Sequence, residues 1–263
     1  MPPLPLHRIP LQTGANCGLF AVIAGSRALG YGEEDEARLA PALDRLEKAD
    51  PRTFIGEVLS VDLLLDLIRG LSQGGAGLFS ARSVAFSTPA ELSELIRESA
   101  VTGGALLIPF ARPQSYDVYY RLVGQNATET EIRAARKAKE AESLFLPADA
   151  HWALINRVDE AGQIVLADSV EDVWGRGHGY EATFTAEKLT AANLALKGCF
   201  DWRNFLDGQG RVWGMGDLLG KPYAPSTPRL KNPERLERIL SNAGREALDL
   251  AGRVLTLERE RMR

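Results

Sequence analysis

Apolar residues along this chain fall first at helical spacing and later at strand spacing. After Asn16, the run Cys17-Gly-Leu-Phe-Ala-Val-Ile-Ala24 continues to Leu29, where Gly30 supplies a left-handed stop. The pattern predicts a buried helix that begins at Cys17. Residues 31 to 53 are acidic, then mixed, and are punctuated by Pro41 and Pro51, which predicts short helices and loops. Ser60 then caps a strongly apolar helix over Val61 to Ile68 that Gly70 ends. Leu78 to Phe86 predicts a strand, and Thr88-Pro89 followed by Glu91 predicts a helix to about Ala100, by capping-box logic with proline in the first turn. Ala105 to Phe110 is a short buried strand that Pro109 terminates or places on an edge.

The pattern lapses over residues 111 to 149, an insert with an aromatic loop (Tyr116, Tyr119, Tyr120) and a polar segment, Thr128 to Ala141, that predicts a surface helix. Alternation returns from His151 to Ser169 as a β-hairpin whose turn is Asp159-Glu-Ala-Gly162. Thr183 to Leu219 predicts a short helix, the segment around Cys199 and aromatic loops holding Trp202 and Trp213 that complete a second lobe or its covering. Pro222 to Pro228 reads as a linker. Beyond it, Pro233 to Arg263 predicts a long amphipathic helix with Leu236, Ile239, Leu240, Ala243, Ala247, Leu250, Val254 and Leu257 on one stripe. That stripe either packs back on the domain, self-associates or pairs with a partner helix. The organisation expected is therefore a domain over 1–225 and a helical appendage over 226–263.

Composition narrows the setting. At 263 residues, 45% hydrophobic and 25% charged, the chain is long enough for a full core. A net charge of −4 leaves no electrostatic footprint for nucleic acid. Two cysteines, Cys17 and Cys199, are too few for a disulfide framework and favour a reducing compartment. The opening stretch holds four prolines by Pro10, which excludes a helical signal sequence, and no run of about 18 apolar residues predicts a membrane span. The expectation is a cytoplasmic protein, or one delivered by a signal-peptide-independent secretion system. Asn126-Ala-Thr128 fits a glycosylation acceptor and is taken as chance without such a signal.

The candidate chemistry starts at Cys17. A lone cysteine in a core helix is usually packing, but one at a helix start meets unpaired N–H groups and the positive end of the dipole, which favour a thiolate. Gln12, in a turn with Gly14 and Asn16, has side-chain N–H donors that can join the Cys17 backbone N–H around an oxyanion. Downstream, His151 opens the hairpin and Asp168 closes it, so the two side chains can meet across one end of the sheet. A carboxylate there fixes the imidazole's tautomer and orientation. Each residue alone has a structural explanation; their combination with a helix-start cysteine points to a nucleophile triad. Cys199 lacks both the preceding Gln and the following Gly and is assigned to packing, although the order His, Asp, Cys also occurs in ubiquitin-like-protein proteases. His178 is a loop residue near the site in sequence. No His/Cys cluster stands at zinc-ligand spacing, and the chemistry calls for neither cofactor nor metal.

Gln12, Asn16-Cys17-Gly18, His151-Trp152-Ala153 and Asp168-Ser169 resemble the catalytic blocks of papain-like cysteine peptidases, in the subset with Asp as third member, such as bacteriocin-leader-processing peptidase domains. Cys and His also stand at the separation, roughly 130 to 150 residues, of papain-type enzymes. Gly14 to Leu19, Gly56-Glu-Val-Leu-Ser60, Gly104 to Pro109 and Ala150 to Ala153 are similar to blocks of the actin maturation protease family. The resemblance covers about residues 11 to 170; after about residue 175 no matching sequence follows, and the 111–149 insert departs from it. It implies an α+β papain-like fold, with a helical lobe carrying Cys17, an antiparallel sheet lobe carrying His151 and Asp168, and a C-terminal helical extension. It implies a cysteine peptidase acting on a protein or peptide, as a processing protease or a bacterial effector. Deamidation or acyl transfer by the same thioester chemistry, and a catalytically idle binding module on the same scaffold, are the other readings.

Overall fold

The computed structural model describes residues 2–11, 16–49, 58, 60–73, 79–113, 128, 130–131, 145–169, 178–197 and 250–259. They form an α+β fold around one six-stranded sheet. In chain order the elements are α1 (Cys17–Ala28), α2 (Glu33–Ala49), α3 (Val61–Gln73), β1 (Phe79–Ala85), α4 (Pro89–Thr102), β2 (Ala105–Pro113), β3 (Phe145–Val158), β4 (Ile164–Asp168), β5 (Tyr180–Phe184), α5 (Ala186–Leu194) and β6 (Arg253–Arg259). The strand order is β1-β6-β2-β3-β4-β5, with every neighbouring pair antiparallel.

Both faces of the sheet are covered, so its central strands carry apolar side chains on alternate sides. Ala105, Leu107, Trp152, Leu154, Leu255 and Leu257 join one core with α1, α2 and α3. Leu106, Ile108, Phe110, Ala153, Ile155 and Val254 join a second with α4 and α5. Helix α1 is buried almost all round, as its unbroken apolar run requires, and packs on β2 and β3.

Local signals gave several boundaries. Thr88 and Glu91 form the complete capping box that starts α4, and Gly103 ends it at φ 73°. Thr128 and Glu131 exchange the same reciprocal bonds, so a helix does begin there; the rest of the expected surface helix, and the aromatic loop, lie outside the described residues. The N-terminal arm turns through a short 3-10 segment at Leu6–Arg8. Leu4 is held by the Asn156 side chain, whose Oδ1 accepts its N–H at 2.6 Å and whose Nδ2 donates to its carbonyl at 3.0 Å.

Elsewhere the structure corrects the pattern. Residues 33–49 are one helix rather than short pieces, with Pro41 inside it. Proline there forfeits a backbone bond, at a cost of about 3 kcal/mol, which burial of Leu39, Ala40 and Leu43 and the two-pronged Arg27–Glu36 ion pair help offset. Gly70 does not stop α3; it lies where an added Cβ would come 3.0 Å from Leu46, so it serves the close packing of α3 on α2. Pro109 sits inside β2 rather than ending it. The pairing of β2 with β6 covers only Ala105 to Leu107, so Pro109 lies on a locally open edge where its missing N–H costs no ladder bond, and its carbonyl accepts Asn193 Nδ2. β5 was not anticipated.

The largest correction is at the C-terminal end. Arg253–Arg259 is not the end of an amphipathic helix but strand β6, inserted between β1 and β2. Leu250, Val254 and Leu257 fit a helical stripe, but Val254 and Leu255 face opposite cores, as strand neighbours do. Gly252, at φ 69°, makes the turn that precedes the strand. The expected boundary at 225/226 therefore does not separate residues 253–259 from the first domain's sheet. The linker and residues 226–249 lie outside the described residues.

Candidate active site

Cys17 is the first residue of α1, and the carbonyl of Asn16 before it accepts the N–H groups of Leu19 and Phe20. The N–H of Cys17 itself has no partner to find within the helix, and the positive end of the helix dipole falls on its side chain. The thiol is free of any disulfide and buried.

His151 stands on β3 opposite Phe110 of β2, one position before the register shift between Ala111 and Arg112. The Phe110 ring meets the imidazole edge to face at 5.6 Å and is itself buttressed by Phe184. Asp168 is the last residue of β4 and wholly buried. His151 Nε2 lies 2.7 Å from Asp168 Oδ1, within reach for the ring N–H to donate to the carboxylate. Cys17 also acts on the imidazole electrostatically, and with Nε2 turned to Asp168 the nitrogen left for the sulfur is Nδ1. The three groups thus form one buried relay, sulfur to imidazole to carboxylate.

The hairpin achieves this only through a β-bulge. Near the turn Val158 pairs with Ile164 and Arg157 with Val165, but farther on Ile155 pairs with Leu166 and Leu154 with Ala167. Asn156 is the extra residue. Continued without it, the turn-side register would set Asp168 opposite Leu154, on the face away from His151. With it, Asp168 falls on the side of Ala153 and His151. The bulge is pinned by the Asn156 side chain, which bonds Leu4 on the N-terminal arm and Glu181 on β5. The Asp168 backbone is closely packed too: a Cβ on Gly179 would run into its carbonyl oxygen, and the Gly179 N–H donates to the Ile9 carbonyl.

Burial alone would disfavour the imidazolium, but the charges of Asp168 and Cys17, and hydrogen bonds to both, outweigh it and push His151 up to about 10. Over the neutral range, His151 is therefore held as a proton donor.

Gln12 and Cys199 lie outside the described residues, so of the sequence candidates the structure brings together Cys17, His151 and Asp168. His178 is not part of the relay; its Nδ1 is 2.6 Å from the Gly179 carbonyl. Trp152 entered the sequence reading as part of the His151 block with no role of its own, and its indole N–H donates to the Val58 carbonyl at 2.8 Å. Among the described residues no His, Cys, Asp or Glu cluster of three could hold a metal ion, and no helix is long and apolar enough to cross a membrane. No family model, curated protein or solved structure matches the chain.

Proposed function

We propose that the protein is a papain-like cysteine peptidase that cleaves a peptide bond in a protein or peptide through a Cys17-His151-Asp168 triad. The observation that carries this reading is the buried cluster: His151 at 2.7 Å from Asp168, with Cys17 acting on the same imidazole. A helix presenting its first-turn cysteine to an antiparallel sheet that carries histidine and aspartate also fits the papain-like arrangement. A scaffold kept for binding alone has no use for an ionisable relay of three groups, each of which is costly to bury.

In the reaction, the Cys17 sulfur bonds to the scissile carbonyl carbon as the carbonyl π electrons move onto oxygen. The Cys17 N–H, with Gln12 as the further donor, stabilises that oxyanion. As the C–N bond breaks, His151 delivers its proton to the departing amine, leaving a thioester. Water then attacks the thioester while His151 takes its proton. The carboxylic acid leaves, and the sulfur departs as the thiolate paired with the imidazolium. Asp168 keeps the imidazole in the orientation both transfers need.

The test is N-terminal proteomics on extracts treated with the wild type or Cys17→Ala, together with labelling by a thiol-reactive peptide electrophile. New protein N-termini produced only by the wild type, and covalent capture at Cys17, are expected. Conversion of glutamine to glutamate without a new terminus would turn the reading to deamidation. A wild type that neither cuts nor reacts at Cys17 would overturn it.

A further inference from the structure

The N-terminal arm is fastened to both halves of the site. Leu4 and Ile9 are buried in the core that α1 shares with the sheet. On the helix side, Arg27 of α1 donates through Nη1 to the Arg8 carbonyl, and Arg8 Nη2 donates to the Tyr31 carbonyl just beyond the helix. On the sheet side, the Asn156 side chain holds Leu4 by its N–H and its carbonyl, and the same Nδ2 donates to Glu181 at 3.2 Å. Glu181 pairs with Ala167, the residue before Asp168, and its carboxylate also accepts Arg157 Nη2 at 2.8 Å. A third attachment lies at Gly179. Its N–H donates to the Ile9 carbonyl at 3.0 Å, and the space beside its Cα is filled by the Ile9 side chain, the Pro10 carbonyl oxygen and the Asp168 carbonyl oxygen.

We infer that the arm from Leu4 to Ile9 is a strap that sets Asp168 against His151, with Asn156 as the positioning residue through which it acts. The inference rests on the peptidase reading above and deepens it. A bulge leaves its extra residue out of the ladder, so the side chain must supply what fixes it. Two of the three bonds that the Asn156 side chain makes go to Leu4, and the third goes to the strand that pairs with Asp168. Without them nothing in the hairpin favours the bulged register over the plain one, and a slip of one residue would turn Asp168 to the other face of the sheet. Because Arg27 ties the same strap to α1, docking of the arm couples the seat of the nucleophile helix to that of the carboxylate. Asn156 acts on the relay through the register of β4, so its loss should matter only while there is a carboxylate to place.

The experiment is a double-mutant cycle read at Cys17. Alkylation of Cys17 by iodoacetamide, followed by peptide mapping at about pH 6, is compared in the wild type, Asn156→Ala, Asp168→Ala and the double variant, each shown to be folded by its thermal unfolding. Asn156→Ala alone should slow alkylation by about tenfold, as residues that share a network do. It should also move the alkaline limb of the pH profile to lower pH, because His151 then faces Cys17 without Asp168 held at its other nitrogen. In the Asp168→Ala background, adding Asn156→Ala should change the rate by less than about twofold. If Asn156→Ala does not fold, Leu4→Pro, which removes the N–H that Asn156 accepts and leaves Asn156 in place, goes through the same cycle. The same proportional loss in both backgrounds, or no loss in either, would overturn the strap while leaving the peptidase reading intact. A wild type that shows the coupling at Cys17 yet cuts no peptide would support the strap and remove the peptidase reading.

Discussion

Replacing Asp168 by Asn separates orientation from charge at this site. The amide oxygen can still accept the His151 Nε2–H across the 2.7 Å contact, but the negative charge that helps raise His151 to about 10 is gone. The His151 pKa must fall, since burial then meets only the Cys17 partner. A lowered His151 pKa removes the imidazolium at alkaline pH first, so the proton is lost last at about pH 6. At that pH the remaining loss reports geometry, and by about pH 9 loss of the proton adds to it. Activity of Asp168→Asn should therefore fall less than about a hundredfold at acid pH, and Asp168→Ala more. The corresponding exchange in a serine triad costs about ten-thousandfold, because a serine hydroxyl depends far more on its base than a thiol does. The assay is a pH–rate profile of peptide cleavage, repeated with Cys17 alkylation, in which the alkaline limb should move to lower pH. An alkaline limb unmoved from the wild type's, or complete loss of activity at every pH, would refute the reasoning. Stability carries the same sign. A histidine raised above its unfolded value of about 6.5 contributes stability that is fully present below that pH and lost as pH rises through about 10, so the wild type's thermal advantage over Asp168→Ala should shrink across that window.

Three further outcomes follow. At about pH 6, alkylation of Cys17 should far outpace that of Cys199, as a relay-held sulfur against a packing thiol requires; equal labelling, or labelling of Cys199 alone, would transfer or remove the nucleophile. Gln12→Ala should lower turnover by about a hundred- to a thousandfold while sparing Cys17 alkylation; wild-type turnover would reduce Gln12 to shaping the turn. Asn156→Ala strips partners from the buried Leu4 N–H and carbonyl and should cost about 1 to 3 kcal/mol in denaturant unfolding; an unchanged midpoint would show that the arm does not depend on that side chain.

What could be read in the sequence was what short-range chemistry decides. The α4 capping box, the start of α1 at Cys17 and the β3–β4 hairpin each depend on residues within a turn or two of one another. The meeting of His151 with Asp168 was anticipated from a plain hairpin, yet a plain hairpin would have put them on opposite faces. The bulge at Asn156 carries no Gly or Pro to announce it, and its anchor, Leu4, lies 152 residues away. The same distance effect hid the Trp152–Val58 bond. At β6 the difficulty was degeneracy: Leu250, Val254 and Leu257 satisfy a helical stripe, and only neighbours far away in the chain make Arg253–Arg259 extended. Gly70 and Pro41 misled because breakers were read without the partner helix that makes them tolerable.

The position of β6 bears on when, during synthesis, the site can exist. β1 and β2 are made early but do not pair with each other; the strand that joins them comes after β5 and 68 further residues. Until β6 has been synthesised, β1 lacks its one partner among the described strands, and the core beneath α1 lacks Leu255 and Leu257. Contacts so distant in sequence form late. The relay residues are all translated well before this, yet the surface against which α1 is seated is incomplete. The nascent chain thus carries Cys17, His151 and Asp168 through most of translation without the packing that aligns them, and the proposed peptidase activity would switch on only as β6 slots into the middle of the sheet.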